Sequence, residues 1–537
     1  MMFKEKQKKS KSILALLILV FAFVLRFYQL ADNPPALNWD EVSHGYNAYS
    51  ILKTGKDEWG MKFPLIFRAY GDYKLPLYIY FSVIPIAVLG LNPLGVRFIS
   101  IFSGIGLVIV AYLIGKKAAK SQFVGLLSAF LTAVSPWSLF LSRAAVEANL
   151  GAFLVALGSW AVIKKRFVLA AILWGFSLHT YNSARVLILF LGFFVVLQLF
   201  RNKSLKKLAI FGIILAFFVL PIVGQVFSRQ ASARLFWVSL IEQGTVNRII
   251  ENRLNSKLPA LLTHLIHNRP NYFLIYSIRN YLAHFSPQFL FLQGGSHYQF
   301  SMQNSGILYL ATAPFLLLGI ITSRNWFLLF WYFAAFLPSA ITRDSPHVLR
   351  SILVLPLPMV FTSLGVQKMM GLLKKKIFRA EKLFAGIFIF AVFVSFGAWW
   401  YSYWRDYRIN YSWSWQYGYE EMVAYVRKNY DEYDEFLITK KYGEPHEFFL
   451  FYWPWDPKKY QEDQNLTRYF QTNWYWVDSF DKFKFINDWE IIEKTKDQKP
   501  KTKNLLITSP GNYSEGWRKI KTINFLDGQP AFEILER

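Results

Sequence analysis

Apolar runs long enough to cross a bilayer recur through residues 13–404, and short basic clusters separate them. A helical span of the hydrocarbon core needs about 20 apolar residues, with wide scatter. Nothing in that core satisfies an open backbone group, so a chain built of such runs is restricted to a bundle of helices. The first run, Ile13–Leu30, follows Lys4, Lys6, Lys8, Lys9 and Lys11. It is long for a signal peptide, Ala31-Asp32-Asn33 is a poor cleavage site, and further spans follow, so it reads as an uncleaved first helix.

Orientation follows from the basic residues. Lysines ahead of the first span place the N-terminus in the cytoplasm. Ala31–Leu75 is then a long outer loop, and Leu75–Leu89, short and interrupted by Pro76 and Pro85, reads as an interfacial segment. Val96–Gly115 crosses inward to Lys116, Lys117 and Lys120. Phe123–Leu139 goes out and Ala145–Ile163 returns to Lys164-Lys165-Arg166. Phe167–Leu178 and Val186–Phe200 form the next pair, ending at the Arg201–Lys207 cluster. Leu208–Phe227 goes out, Gly306–Ile321 returns, Trp326–Ile341 goes out and Val348–Gly365 returns to the basic stretch Lys368–Lys382. Leu383–Trp404 leaves for the last time. The result is about eleven spans with every dense basic cluster on one side.

Composition agrees. The 537 residues are 54% hydrophobic and 19% aromatic, with mean hydropathy +0.25, which is too apolar for an ordinary soluble domain. A net charge of +26 would suit nucleic acid, but its clustering between spans is that of cytoplasmic loops facing anionic lipid. No nucleic-acid partner is expected. The chain has no cysteine, so disulfides, thiol nucleophiles and cysteine-based zinc sites are excluded.

Two outer loops, 31–95 and 228–305, are far longer than ordinary connections, and loops of that length are functional or disordered. The histidines of the second (His264, His267, His284, His297) lack tight ligand spacing and read as surface residues. From Arg405 the composition turns soluble. Tyr419–Asn429 has helical spacing, Glu435–Thr439 and Asn504–Thr508 read as strands, and Ile523–Ile534 reads as a hairpin around Asp527-Gly528. The expected fold is mainly α: a polytopic membrane bundle over residues 1–404, with a small extracytoplasmic α/β domain over 405–537.

The chemistry centres on Asp40-Glu41, just beyond the first span. Adjacent residues on a helix point about 100° apart, so the two carboxylates serve different neighbours. One can act as a base while the other orients substrate or pairs with an arginine; an acidic helix start reads equally well. No Gly-rich phosphate loop follows a strand, and the soluble part has no nucleotide-sugar site.

A basic tail, one helix, and a loop of the form P-x-x-x-x-x-D-E followed by aromatics resembles the GT-C glycosyltransferases, in particular the protein O-mannosyltransferase and lipid A aminoarabinose transferase group. Lys74-Leu75-Pro76-Leu77-Tyr78-Ile79-Tyr80, Leu89-Gly90 and Val96-Arg97 extend the likeness through about the first 200 residues. The resemblance implies a polytopic GT-C fold and an inverting transfer of a monosaccharide from a polyprenyl-phosphate donor to a glycan, lipid or protein hydroxyl. It implies Asp40 as general base, with Glu41 beside it. The leaving phosphate needs positive charge, for which Arg350, His347, Arg143, Arg185 and Lys74 are the candidates. His179, Tyr181 and Glu147 are expected on the acceptor or sugar side. Asp40, Glu41 and Glu147 would supply oxygen ligands to a divalent metal, but the resembled branch implies no metal, and no cofactor is expected. An integral plasma-membrane location is expected. The competing readings are a lipid-linked-sugar flippase or transporter, and a glycan polymerase or ligase using a lipid pyrophosphate donor.

Overall fold

The computed structural model describes residues 2–226, 237–374, 379–496 and 502–537. Residues 228–236 at the head of the second expected loop, Phe227, and 375–378 of the expected basic stretch lie outside the described residues. The chain forms two compact units.

The first unit takes Met1–Phe27, Ser100–Ser142 and Glu147–Trp400 and is helical. Among the described residues four helices are long and apolar enough to cross a membrane: Pro93–Ala119, Asn182–Arg201, Leu205–Gly224 and Ala380–Asn410. A fifth crossing is available if Gln122–Val134 and Pro136–Ser142, bent by 54°, count as one span. The bend falls at Ser135-Pro136, where proline removes a ladder donor. Other expected spans are shorter or broken apolar helices: Glu147–Ile163, Phe167–Leu178, Leu310–Thr322 and Trp326–Ala340. Val348–Gly365 is displaced: the helix there runs Leu357–Lys374, after a 3-10 turn at Ile352–Val354. The expected interfacial segment is the helix Pro76–Leu89.

Exposed apolar rows mark lipid-facing surface. Ile213, Phe217 and Leu220 are about seventy per cent exposed on one helix, and Leu383 and Phe390 similarly on another. Such rows are unfavourable in water, so the chain is an integral membrane protein. Inside the unit, Ile18, Ala22, Val108, Leu126, Ala129 and Ala133 pack together. Gly319 and Gly365 let the helices Ala313–Thr322 and Leu357–Lys374 touch backbone to backbone, where a Cβ on either would strike the other helix.

The second unit takes Tyr28–Ile99, Arg143–Val146 and Tyr401–Arg537. It therefore joins the first outer loop to the C-terminal sequence. A two-residue hairpin, β1 (Phe67–Arg68) with β2 (Tyr73–Lys74), lies in the loop. The C-terminal sheet has seven strands: β3 (Glu435–Thr439), β4 (Thr467–Gln471), β5 (Trp474–Phe480), β6 (Phe483–Ile486), β7 (Asn504–Thr508), β8 (Arg518–Asn524) and β9 (Pro530–Glu536). Their order is β4-β5-β6-β3-β7-β9-β8, with β3 parallel to both β6 and β7 and the outer pairs antiparallel. β3 and β7 have the expected bounds, and both are almost wholly buried, as central parallel strands are. Leu437, Ile486, Ile491, Leu506, Trp517 and Leu535 form one core. The loop hairpin is tied to β5: the Tyr475 amide donates to the Tyr70 carbonyl at 2.7 Å, and the Tyr73 and Tyr475 hydroxyls are 2.8 Å apart.

Candidate active site

Asp40 and Glu41 stand in the first turn of the helix Trp39–Thr54. The helix begins in a capping box. The Asn38 side chain accepts from the Glu41 amide at 3.0 Å, and Glu41 accepts from the Asn38 amide at 3.2 Å. It stops at Gly55, whose φ of 68° belongs to the left-handed region that glycine enters without a Cβ clash.

The two acids have opposite surroundings. Glu41 is buried, 1% exposed. Its carboxylate takes Arg97 Nε at 2.9 Å, Arg97 Nη2 at 3.0 Å and the Ala145 amide at 2.7 Å, besides the Asn38 amide. Arg97 is fully buried and spends its other donors on the Leu30, Pro34 and Ala36 carbonyls. Asp40, by contrast, keeps 49% of its side-chain surface open and meets one ammonium, Lys74 Nζ at 3.0 Å. Lys74 also donates to the Asp40 carbonyl at 3.2 Å, and β2 fixes its backbone. Burial, the largest single influence on Asp40, acts upward; the charge and hydrogen bond of Lys74, with help from His44 and Trp39, outweigh it and hold the carboxyl below the ordinary aspartate value. His44, one turn on from Asp40, is buried against Tyr78 with rings 5.1 Å apart. Burial and then Lys74 push its imidazole down to about 3, so it is neutral at physiological pH.

The other candidates are dispersed. Arg143, in the second unit, is buried and donates to the Tyr28, Gln29 and Asn33 carbonyls at 2.7–3.3 Å and to the Tyr403 hydroxyl. It ties down residues 28–33, which follow the helix Met2–Phe27. Arg185, His179, Tyr181, Glu147, Arg350 and His347 belong to the first unit. There Arg185 Nε donates to the Leu178 carbonyl, His179 Nε2 lies 2.8 Å from the Phe218 carbonyl, and Tyr181 is buried. Arg350 donates to Thr342 Oγ1 at 2.9 Å and the Arg343 carbonyl at 2.5 Å, and stands 3.9 Å from Asp344. His347 Nδ1 accepts the Leu349 and Arg350 amides. His284, expected at the surface, is fully buried, with Nδ1 2.8 Å from the Asn280 carbonyl and Nε2 2.8 Å from Ser339 Oγ. Its helix, Arg269–Ala283, packs that end on the bundle, which loop composition does not reveal.

In the sequence Arg97 stands out only through the Val96-Arg97 resemblance, and nothing local marks His44. An arginine inside an apolar run is itself a signal, because its charge demands a buried partner.

No family model matches the sequence, and no curated protein matches it. The architecture is that of the GT-C fold. Among solved structures it is similar to ArnT from Cupriavidus metallidurans in the apo state, with TM-score 0.54 and 10% identity over 99% of this chain and 98% of that one. ArnT bound to undecaprenyl phosphate aligns over the same shares, with TM-score 0.51 and 10% identity. The oligosaccharyltransferase AglB from Archaeoglobus fulgidus, in complex with an inhibitory peptide and a dolichol-phosphate, aligns with TM-score 0.51 and 13% identity over 83% of this chain and 63% of that one. This chain thus spans less than two thirds of the archaeal enzyme. At these identities the likeness is one of fold.

Proposed function

We propose that this protein is an inverting glycosyltransferase that moves a monosaccharide from a polyprenyl-phosphate donor to an acceptor hydroxyl on the outer face of the plasma membrane. The observation that carries the reading is the split between neighbouring acids: Glu41 is saturated by Arg97 and backbone amides, and Asp40 is held ionised and half open. The full-length fold likeness to ArnT, which is seen with undecaprenyl phosphate, supports the donor class.

In this reading Asp40 accepts the proton of the acceptor hydroxyl as its oxygen bonds to the anomeric carbon. The bond from that carbon to the phosphate oxygen breaks on the opposite face, the lipid phosphate leaves, and configuration inverts. Lys74 keeps Asp40 ionised and oriented. A base of depressed pKa is weak in the ground state; it becomes competent as bond formation acidifies the attacking hydroxyl. Glu41 is a positioning residue, and so is Arg143. Arg350 with His347 is the proposed phosphate contact, with Arg185 a second cation. Glu147, His179 and Tyr181 are the proposed acceptor-side groups. The N-terminus is cytoplasmic in this reading, and the unit carrying Asp40 is extracytoplasmic, supported by the basic clusters at residues 116–120, 164–166 and 201–207.

The test is purified protein in liposomes with a radiolabelled polyprenyl-phosphate monosaccharide. Release of polyprenyl phosphate and label on an acceptor are expected. Label that crosses the bilayer still joined to its lipid would replace this reading with a transporter.

A further inference from the structure

The second unit contains another group of titratable side chains, away from the capping box. Glu58 comes from the first outer loop; His446 and Glu447 come from the first turn of the helix Pro445–Tyr452. All three are at most 3% exposed. One donor atom from each lies within 4.8 Å of the others. We propose that Glu58, His446 and Glu447 bind a divalent transition-metal ion, with zinc the best match to one imidazole and two carboxylates.

The first argument is unused bonding capacity. Among the described residues no N–H group donates to either carboxylate oxygen of Glu447 or to Glu58 Oε2; the two carboxyls face each other, a pairing that needs a proton or a cation between them. Glu447 has no exposed surface at all. Buried carboxylates without donors are costly, and a cation or a proton must compensate them. The described basic groups nearby are committed: Lys74 to Asp40, Arg468 to the Glu58 carbonyl at 3.1 Å with its guanidinium 4.5 Å from the Trp59 ring centre, and Lys440 to Asp478.

The second argument is geometry. Zinc bonds of about 2.1 Å set tetrahedral donors about 3.4 Å apart. Small rotations of two glutamate side chains close a 4.8 Å set to that spacing. His446 Nε2 already lies 4.0 Å from Glu447 Oε1. Its other nitrogen, Nδ1, is 3.5 Å from Glu444 Oε2, and Glu444 Oε1 accepts Trp474 Nε1 at 2.5 Å. Nδ1 makes no hydrogen bond at that distance; a small turn of the ring toward a metal would bring it onto Glu444, the kind of outer-shell carboxylate that orients a metal-binding imidazole. The Glu58 backbone is fixed on both sides, its amide donating to Asn47 Oδ1 at 3.1 Å and its carbonyl accepting Arg468. Three ligands leave a fourth position for water or substrate. This set shares no residue with Asp40, Glu41 and Glu147, and the inference does not depend on the transferase reading.

The test uses the full chain in detergent without an oligohistidine tag, stripped with chelator and then exposed to zinc chloride. Zinc retained after desalting is measured by mass spectrometry, and the melting temperature is measured with and without zinc. Wild type should retain one equivalent and melt higher with it. Glu447→Gln and His446→Gln should lose both effects, and Glu444→Gln should weaken retention about 10–100-fold. If those variants fail to fold, Glu58→Gln and the visible bands of four-coordinate cobalt in wild type decide the matter. Absence of zinc and cobalt binding in wild type, or equal binding in wild type and folded ligand variants, overturns the site and assigns the cluster a shared proton. Sugar transfer is not read, so failure here leaves the proposed reaction standing.

Discussion

Two sets of buried carboxylates in one unit are handled in opposite ways. Glu41 lies in a closed knot in which Arg97 and two backbone amides fill its oxygens. Glu58, Glu444 and Glu447 are gathered around one histidine, and both oxygens of Glu447 lack donors. The knot holds the helix of Asp40 against the chain around it and needs nothing from outside. The cluster is complete only with a proton or a cation. Burial alone therefore does not separate scaffold from site; the count of satisfied lone pairs does.

The largest effect comes from breaking the knot. Arg97→Met leaves Glu41 buried without its cation and should cost about 3–5 kcal/mol, read as a fall in melting temperature in detergent. Glu447→Gln should cost far less in metal-free protein, because burial already favours the neutral carboxyl there and the amide replaces it at nearly the same shape. If the two variants melt alike, the contrast fails.

Next comes packing on the same helix. Gly45 faces Phe451 and Val96, and a Cβ there would lie 2.5 Å and 2.7 Å from their side chains. Gly45→Ala should destabilise by about 1–3 kcal/mol, checked by the same melt.

The pH dependence sharpens the comparison. Burial raises Glu58 and Glu444 from near 4.5 to about 7. A carboxyl with a raised folded pKa binds its proton more tightly when folded. Its stabilisation is present below about 4.5 and is lost as pH rises to about 7. Metal-free protein should therefore melt at falling temperature across that window, and bound zinc should flatten the fall near its upper end. Asp40 has the opposite sign: its lowered pKa gives stability that is lost only in acid. Smallest is Lys74→Met, which removes the charge holding Asp40 down. The acid limb of the pH–rate profile should move upward, with the melting temperature little changed.

Much of this unit was legible. The acid pair at a helix start, the strands Glu435–Thr439 and Asn504–Thr508, and the closing hairpin follow from capping residues, β-branched runs and an Asp-Gly turn. β4, β5 and β6 were not read, because Trp474–Phe480 mixes aromatic and polar residues on both faces and all but two of its residues are only partly buried. The Glu41–Arg97 knot and the Glu58–Glu447 cluster unite residues from distant parts of the chain, and no local period marks them. Arg143 carries the same charge whether it holds a phosphate or backbone carbonyls, so its role depends on folded geometry. The crossings are also less regular than the apolar runs suggest, since helices such as Phe167–Leu178 are short and Pro136 bends another.

The most direct measurement sets Asp40→Asn beside Glu41→Gln and wild type, reading polyprenyl-phosphate release and melting temperature on the same samples. Asp40→Asn should melt like wild type and lose about 10²–10⁴-fold in turnover, while Glu41→Gln should melt lower. An Asp40→Asn protein that folds and turns over at the wild-type rate would contradict the assignment of Asp40 as the base.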